Sequence, residues 1–255
     1  MTRVSGYSLI ASPCCKSLYK TPYGFMNLSA TGYWTDGAKE NSLWSTSGGL
    51  RMCRCGTAFL LMDAVQLDIE AGPEIADAED VNPADLPKII GNASSPRLEV
   101  MARRNYWRHL NDGYKEQYRA HRAAEDAVTN TWWRRANRAS LVALQLASRK
   151  LIGAKPEPDV KTKRPFTVPP YNPTAEQLEN MKRLLSLILD GAEEPFNIDW
   201  LEVAELYREQ VRFAQAKDAL SRCTEDYKAT KKKVIAEQLH QQSSTPIRYR
   251  DSFFS

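Results

Sequence analysis

The sequence predicts an α+β protein, in which a small cysteine-rich β module leads into a predominantly α-helical domain. Three observations predict it. Four of the five cysteines stand as two close pairs, Cys14-Cys15 and Cys53-Arg54-Cys55, in a stretch rich in Gly, Ser, Thr, Tyr and Trp. Apolar residues recur at spacings of three and four from residue 97 onward, the period of an amphipathic helix. Prolines crowd residues 153–173 and divide the helical part in two. With 255 residues and 42% hydrophobic side chains, the chain is long and apolar enough to build a core.

Taken in order, residues 1–64 form the β module. Tyr33-Trp34-Thr35 before Asp36-Gly37 reads as a strand entering a tight turn. Leu43-Trp44, the turn Ser47-Gly48-Gly49 and Leu50-Arg51-Met52 read as a strand and its return, and residues 57–62 as a buried strand. Residues 65–96 are an acidic connector, interrupted by Pro73, Pro83, Pro87 and Pro96, with room for one short helix near 83–89. Residues 97–152 are a basic, aromatic helical region with Leu98, Met101, Tyr106, Trp107 and Leu110 on its first face and a break at Asp112-Gly113. Residues 153–173 are a Pro-rich linker or strap. Residues 174–242 carry three helical stretches. The first opens with a capping box between Thr174 and Gln177, buries Leu178, Met181, Leu184, Leu185 and Ile188, and ends at Asp190-Gly191. The second turns Trp200, Val203, Ala204 and Tyr207 inward, and the third runs from Phe213 toward Gln242. Residues 243–255 are a polar tail.

The net charge of +4 is too small for a chain dedicated to coating DNA. Its distribution is uneven: +4 over residues 1–56, −7 over 57–96, +8 over 97–155 and −1 over 156–255. Residues 1–10 hold no apolar signal core, and no run of 18 apolar residues occurs. A cytoplasmic protein without membrane insertion is therefore expected.

Thiolates bind Zn²⁺ tetrahedrally, and two facing turns are the usual way to present four of them. A β module this small has little core of its own, so an ion would explain how it folds. In a reducing compartment, metal is favoured over disulfides. Cys14, Cys15, Cys53 and Cys55 are thus the expected ligands of a structural Zn²⁺. Their spacing departs from a doubled Cys-x-x-Cys, so two alternatives stand beside it: reduced thiols in a metal-free core, or a site that has lost its ion.

Residues 12–62 resemble the amino-terminal zinc-ribbon module of a group of bacterial proteins that carry tetratricopeptide-like helices behind it. That module flanks a Trp-Ser-Asp-Gly turn with two Cys-Pro-x-Cys knuckles, the second followed by Gly and an aromatic. This chain has Ser12-Pro13-Cys14-Cys15, Trp34-Thr35-Asp36-Gly37, and Met52-Cys53-Arg54-Cys55-Gly56 followed by Phe59. Cys15 and Cys55 match, whereas Ser12 and Met52 stand where the first cysteine of each knuckle belongs. Cys14 and Cys53 are then the candidates for those roles. Residues 204–216 are similar to one tetratricopeptide unit, with Val211 in place of the turn glycine, and Trp132-Trp133 also fits this group. One such unit is too few for a solenoid, so a compact bundle is expected.

No phosphate loop, zinc-protease helix or nucleophile elbow occurs, and His109, His121 and His240 lie in polar helical sequence. The expectation is a non-enzymatic interaction module or adaptor with a protein partner. Its candidate anchors are Trp132, Trp133, Trp200, Tyr207 and Phe213, because large aromatics dominate such interfaces. The alternative is nucleic-acid binding through Arg103, Arg104, Arg108, Arg119, Arg134 and Arg135, interleaved with aromatics that can stack on bases.

Overall fold

The computed structural model of the chain describes residues 6–23, 30–40, 49–70, 72, 74–127, 168–191, 198–224 and 229–249. The chain divides into two units, Met1–Asp112 with Tyr171–Ser255, and Gly113–Pro170. An α+β fold results, with small antiparallel sheets in the amino-terminal part and helices after them.

Among the described residues, three three-stranded antiparallel sheets make up the β part of the first unit. The first has the order β2-β1-β7, from β1 (Gly6–Ala11), β2 (Leu18–Tyr23) and β7 (Val65–Glu70). Its register sets Ile10 opposite Tyr19, and both turn into a small cluster with Cys53 and Phe59. The second sheet, β4-β3-β9, joins β3 (Gly32–Trp34), β4 (Lys39–Glu40) and β9 (Arg248–Tyr249). The turn after β3 is the one expected: Asp36 Oδ1 accepts the Ala38 N–H at 3.0 Å, and Gly37 takes φ +84°, a left-handed backbone that glycine adopts without steric cost. The third sheet, β6-β5-β8, is made of β5 (Leu50–Met52), β6 (Ala58–Leu60) and β8 (Glu79–Asp80).

Helix α1 (Leu86–Gly91) and helix α2 (Pro96–Leu110) cover the third sheet through Leu50, Ala58, Leu60, Leu86, Ile89, Leu98 and Ala102. Ser95 caps α2 by accepting the Leu98 N–H at 3.2 Å, and Pro96 fills the first turn, where no N–H partner is needed. The opposite side of α2, with Val100 and Trp107, packs into the helical core. A third helix, α3, is described over residues 112–127 and falls almost wholly in the second unit, where Tyr114 and Tyr118 are buried. The first unit continues with α4 (Ala175–Leu189), α5 (Trp200–Glu209), α6 (Phe213–Ser221) and α7 (Ala229–His240). Both halves of the expected capping box are present at α4, and Met181, Leu184, Leu185 and Ile188 are buried.

Several expectations are corrected. The connector 65–96 holds more than one short helix: it supplies β7 and β8 as well as α1. The apolar residues Val65, Leu67 and Ile69 alternate with polar ones at the period of a strand, and the negative charge around them masks that signal. Part of the tail also forms a strand, because β9 pairs with β3 and Tyr249 stacks on Tyr33 with ring centroids 5.9 Å apart. The third carboxy-terminal stretch breaks after Ser221, where Ser221, Cys223 and Thr224 are weak helix formers. The turn between α5 and α6 closes with Val211 itself at φ +62°. Its N–H donates to the Arg208 carbonyl, and the Arg212 N–H donates to the Tyr207 carbonyl, both at 2.9 Å, a complete Schellman cap with valine in the glycine position.

A buried polar cluster ties the β3 turn to the helices. Arg108 of α2 donates to the Asp36 carbonyl at 3.2 Å. Asn111 Nδ2 lies 3.2 Å from Asp36 Oδ2 and 3.3 Å from Glu209 Oε2, and so bridges two carboxylates. Glu209 Oε2 also accepts from Trp107 Nε1 at 2.8 Å and from the Tyr171 hydroxyl at 3.2 Å. Among the described residues, Glu209 Oε1 has no hydrogen-bond partner. Beside it, Arg208 grips Glu205 through two bonds of 2.6 and 2.8 Å, with both side chains sealed from solvent. Burial, with Glu205 and Asp36 close by, pushes the Glu209 carboxyl up to about 8.

Candidate metal centre

Two loops build the site, and each closes an antiparallel strand pair. The first, residues 12–17, joins Ala11 of β1 to Leu18 of β2. It is held by Ser12 N–H to the Ser17 carbonyl at 2.9 Å and Lys16 N–H to the Ser12 carbonyl at 3.1 Å. The second, residues 53–57, joins Met52 of β5 to Ala58 of β6. There the Cys53 N–H donates to Thr57 at 3.0 Å and the Gly56 N–H donates to Cys53 at 2.8 Å. Both loops need a left-handed residue: Gly56 at φ +79° in the second, and Lys16 at φ +62° in the first. The first loop is one residue longer, which is how an adjacent pair of cysteines faces a pair spaced by one.

The Sγ atoms of Cys14, Cys15, Cys53 and Cys55 all lie within 4.8 Å of one another. Cys15 and Cys53 are 3.3 Å apart, and Cys14 and Cys55 are 3.5 Å apart. All are free thiols, well beyond the sulfur–sulfur bond length of about 2.05 Å. A tetrahedron with metal–sulfur bonds of about 2.3 Å has edges of about 3.8 Å, so these four sulfurs are close enough to hold one ion.

The four are not equivalent. Cys14, Cys15 and Cys55 are exposed, and Cys53 is 3% exposed. Burial works against a charge on Cys53, but the Cys55 N–H, followed by Ser12, Tyr19 and Cys15, outweighs it and holds the thiol well below its ordinary value. The Ser17 hydroxyl and N–H draw Cys15 down in the same way. Desolvation, with contacts to Cys53 and Cys55, pushes Cys14 up.

The sequence-derived cysteines therefore converge. Met52 packs against the core shared with α1 and α2, whereas Cys53 lies at the sulfur cluster. Ser12 stays at the site, fully buried, with Oγ 3.4 Å from Cys53 Sγ and 3.7 Å from Cys15 Sγ. In the sequence Tyr19 reads as one more strand aromatic, with no signal of its own. Its hydroxyl donates to Cys53 Sγ at 3.3 Å across 34 positions of chain.

The other candidates are scattered. Trp200 and Tyr207 are half-buried, two turns apart on α5, and pack on the helical core. Their outer faces carry the Arg222 and Arg212 guanidinium groups, 4.9 and 4.6 Å from the ring centroids. Phe213, half-buried, opens α6. Arg103 pairs with Glu99 at 2.8 Å, Arg104 grips Glu202 at 2.6 and 2.8 Å in the interior, and Arg108 holds the β3 turn. Arg119 is exposed on α3. Trp132, Trp133, Arg134 and Arg135 lie outside the described residues.

Fold and site together define an α+β protein whose four clustered cysteines can hold a metal ion. No family model, curated protein or solved structure matches the chain. Among the described residues, no helix is long and apolar enough to cross a membrane.

Proposed function

We propose that the chain is a non-enzymatic protein-interaction module, an adaptor, in which Cys14, Cys15, Cys53 and Cys55 hold a structural Zn²⁺ ion. The observation that carries it is the meeting of four sulfurs from two loops within 4.8 Å. Four thiolates suit a borderline-soft ion with no geometric preference of its own, and they fill a tetrahedral shell, leaving no open position for substrate. The ion would fasten the first sheet to the third by linking loop 12–17 to loop 53–57. Four thiols this close persist best in reducing surroundings, which supports a cytoplasmic location.

The helices α5 and α6 would present Trp200, Tyr207 and Phe213 to a protein partner, with Trp132 and Trp133 as further anchors. Arg103, Arg104 and Arg108 are engaged within the fold, which favours a protein partner over nucleic acid. Elemental analysis of freshly purified, reduced protein should return about one zinc per chain. A value near zero would defeat the metal reading. Retention of single-stranded nucleic acid that falls steeply with added salt would overturn the choice of partner.

A further inference from the structure

We infer that Tyr19 and Ser12 are positioning residues of the metal centre: their hydroxyls anchor Cys53 and take up part of its charge, so metal affinity depends on two side chains that never touch the ion. The inference rests on the metal reading above. Its starting point is the asymmetry among the sulfurs. Cys14, Cys15 and Cys55 are exposed and can be solvated by water, while Cys53 is buried. A thiolate taken out of water needs donors from the protein, because a buried charge without hydrogen bonds is strongly unfavourable.

Both hydroxyls are fixed where such donors are required. The Tyr19 oxygen accepts the Arg54 N–H at 2.7 Å, so its own proton is left to point at Cys53 Sγ, 3.3 Å away. The ring is locked from two sides, against Phe59 with centroids 6.1 Å apart and under the Arg54 guanidinium at 5.7 Å. Ser12 is fully buried, and its N–H and carbonyl are both used inside the first loop. Only its hydroxyl remains to serve the sulfurs: it accepts the Cys53 S–H at 3.4 Å, a bond that reverses once Cys53 is a thiolate and can only accept, and Cys15 is farther at 3.7 Å. Each loop thus supplies cysteines, and the two supporting hydroxyls come from the first residue of the first loop and from β2. Groups that hydrogen-bond a metal ligand fix its orientation and tune its electron density, and losing one typically weakens metal binding about 10–100-fold.

The test uses the full chain loaded with Co²⁺, whose thiolate-to-metal absorption reports sulfur electron density, together with zinc affinity by competition against a coloured chelator. Tyr19→Phe and Ser12→Ala should each weaken zinc binding about 10–100-fold and move the charge-transfer band to longer wavelength. Ser12→Thr should restore both readouts. Ile188→Ala, a change in the separate helical core, should lower thermal stability and leave the band in place. If the wild-type chain binds one ion and Tyr19→Phe and Ser12→Ala leave affinity and band unchanged, the inference falls while the metal reading stands. If the wild-type chain takes up neither Zn²⁺ nor Co²⁺, both fall. Ser12→Ala removes a single surface-free oxygen, so it keeps the test sound even where Tyr19→Phe perturbs folding.

Discussion

The two polar clusters of the first unit are built on opposite plans. The sulfur cluster lies at the tips of two loops, three of its four thiols face water, and its members are all of one kind. The carboxylate cluster around Glu209 lies between the β3 turn, helices α2 and α5 and the non-helical Tyr171, and it mixes acids with their own donors. There Trp107, Asn111 and Tyr171 serve Glu209, Arg208 serves Glu205, and Arg108 serves the Asp36 backbone. The difference teaches what each needs from outside. Four like ligands have no internal counter-charge and become stabilising once a cation joins them. The carboxylate cluster is complete without one, apart from a single oxygen, and it relieves its excess of acid by keeping a proton on Glu209.

The comparison is broken most directly at the sulfurs. Cys15→Ser combined with Cys55→Ser should abolish zinc binding and cost the largest stability of any change here, since structural zinc contributes on the order of 10 kcal/mol to small domains. Metal analysis and thermal unfolding with and without chelator would check it. Chelator should lower the melting temperature of the wild type and have no effect on the double variant. Next, Arg208→Ala strands Glu205 beside Glu209 in the interior and should cost about 3–5 kcal/mol in denaturant unfolding. It should do so equally with and without zinc if the clusters are independent.

Glu209→Gln sharpens the contrast through pH. In the fold Glu209 titrates near 8, above its ordinary 4.5. The stability it lends is therefore complete below pH 4.5 and is lost as pH rises through about 8. The wild type should weaken over that window by a few kcal/mol, and the glutamine variant, with no proton to lose, should stay flat and become the more stable above it. Urea unfolding between pH 5 and 9 reads this directly. The smallest effect is expected at Lys16. Holding a lysine in the left-handed region costs about 1–2 kcal/mol, partly offset by the greater freedom glycine has when unfolded. Lys16→Gly should thus raise the melting temperature slightly and leave zinc stoichiometry unchanged.

The sequence made legible those features whose cause is local. The capping box of Thr174 and Gln177, the Asp36-Gly37 turn and the helix stop at Asp190-Gly191 all rest on residues within four positions of each other. The convergence of the cysteines could be read from chemistry, because two close pairs of thiols suit the two facing turns of a tetrahedral metal site. What stayed hidden depends on distant partners. Strand β9 has two residues and no pattern of its own; it exists because β3 offers an edge. Ser12 was visible only as a missing cysteine, and Tyr19 owes its role to a sulfur brought to it by another sheet. Val211 marks where a rule of composition bends: the Schellman hydrogen bonds and the packing of α5 on α6 hold a β-branched residue where glycine is preferred.

The pairing of β9 with β3 has a bearing on how the protein is made. Thr35 donates its N–H to the Ile247 carbonyl and accepts the Ile247 N–H on its own hydroxyl, both at 3.0 Å. A growing chain holds Gly32–Trp34 long before residue 247 has been synthesised. Until then, that sheet has an open edge able to recruit a strand from another nascent molecule. Residue 247 and the strand after it thus act as a bolt that shuts an edge formed 212 positions earlier in the chain.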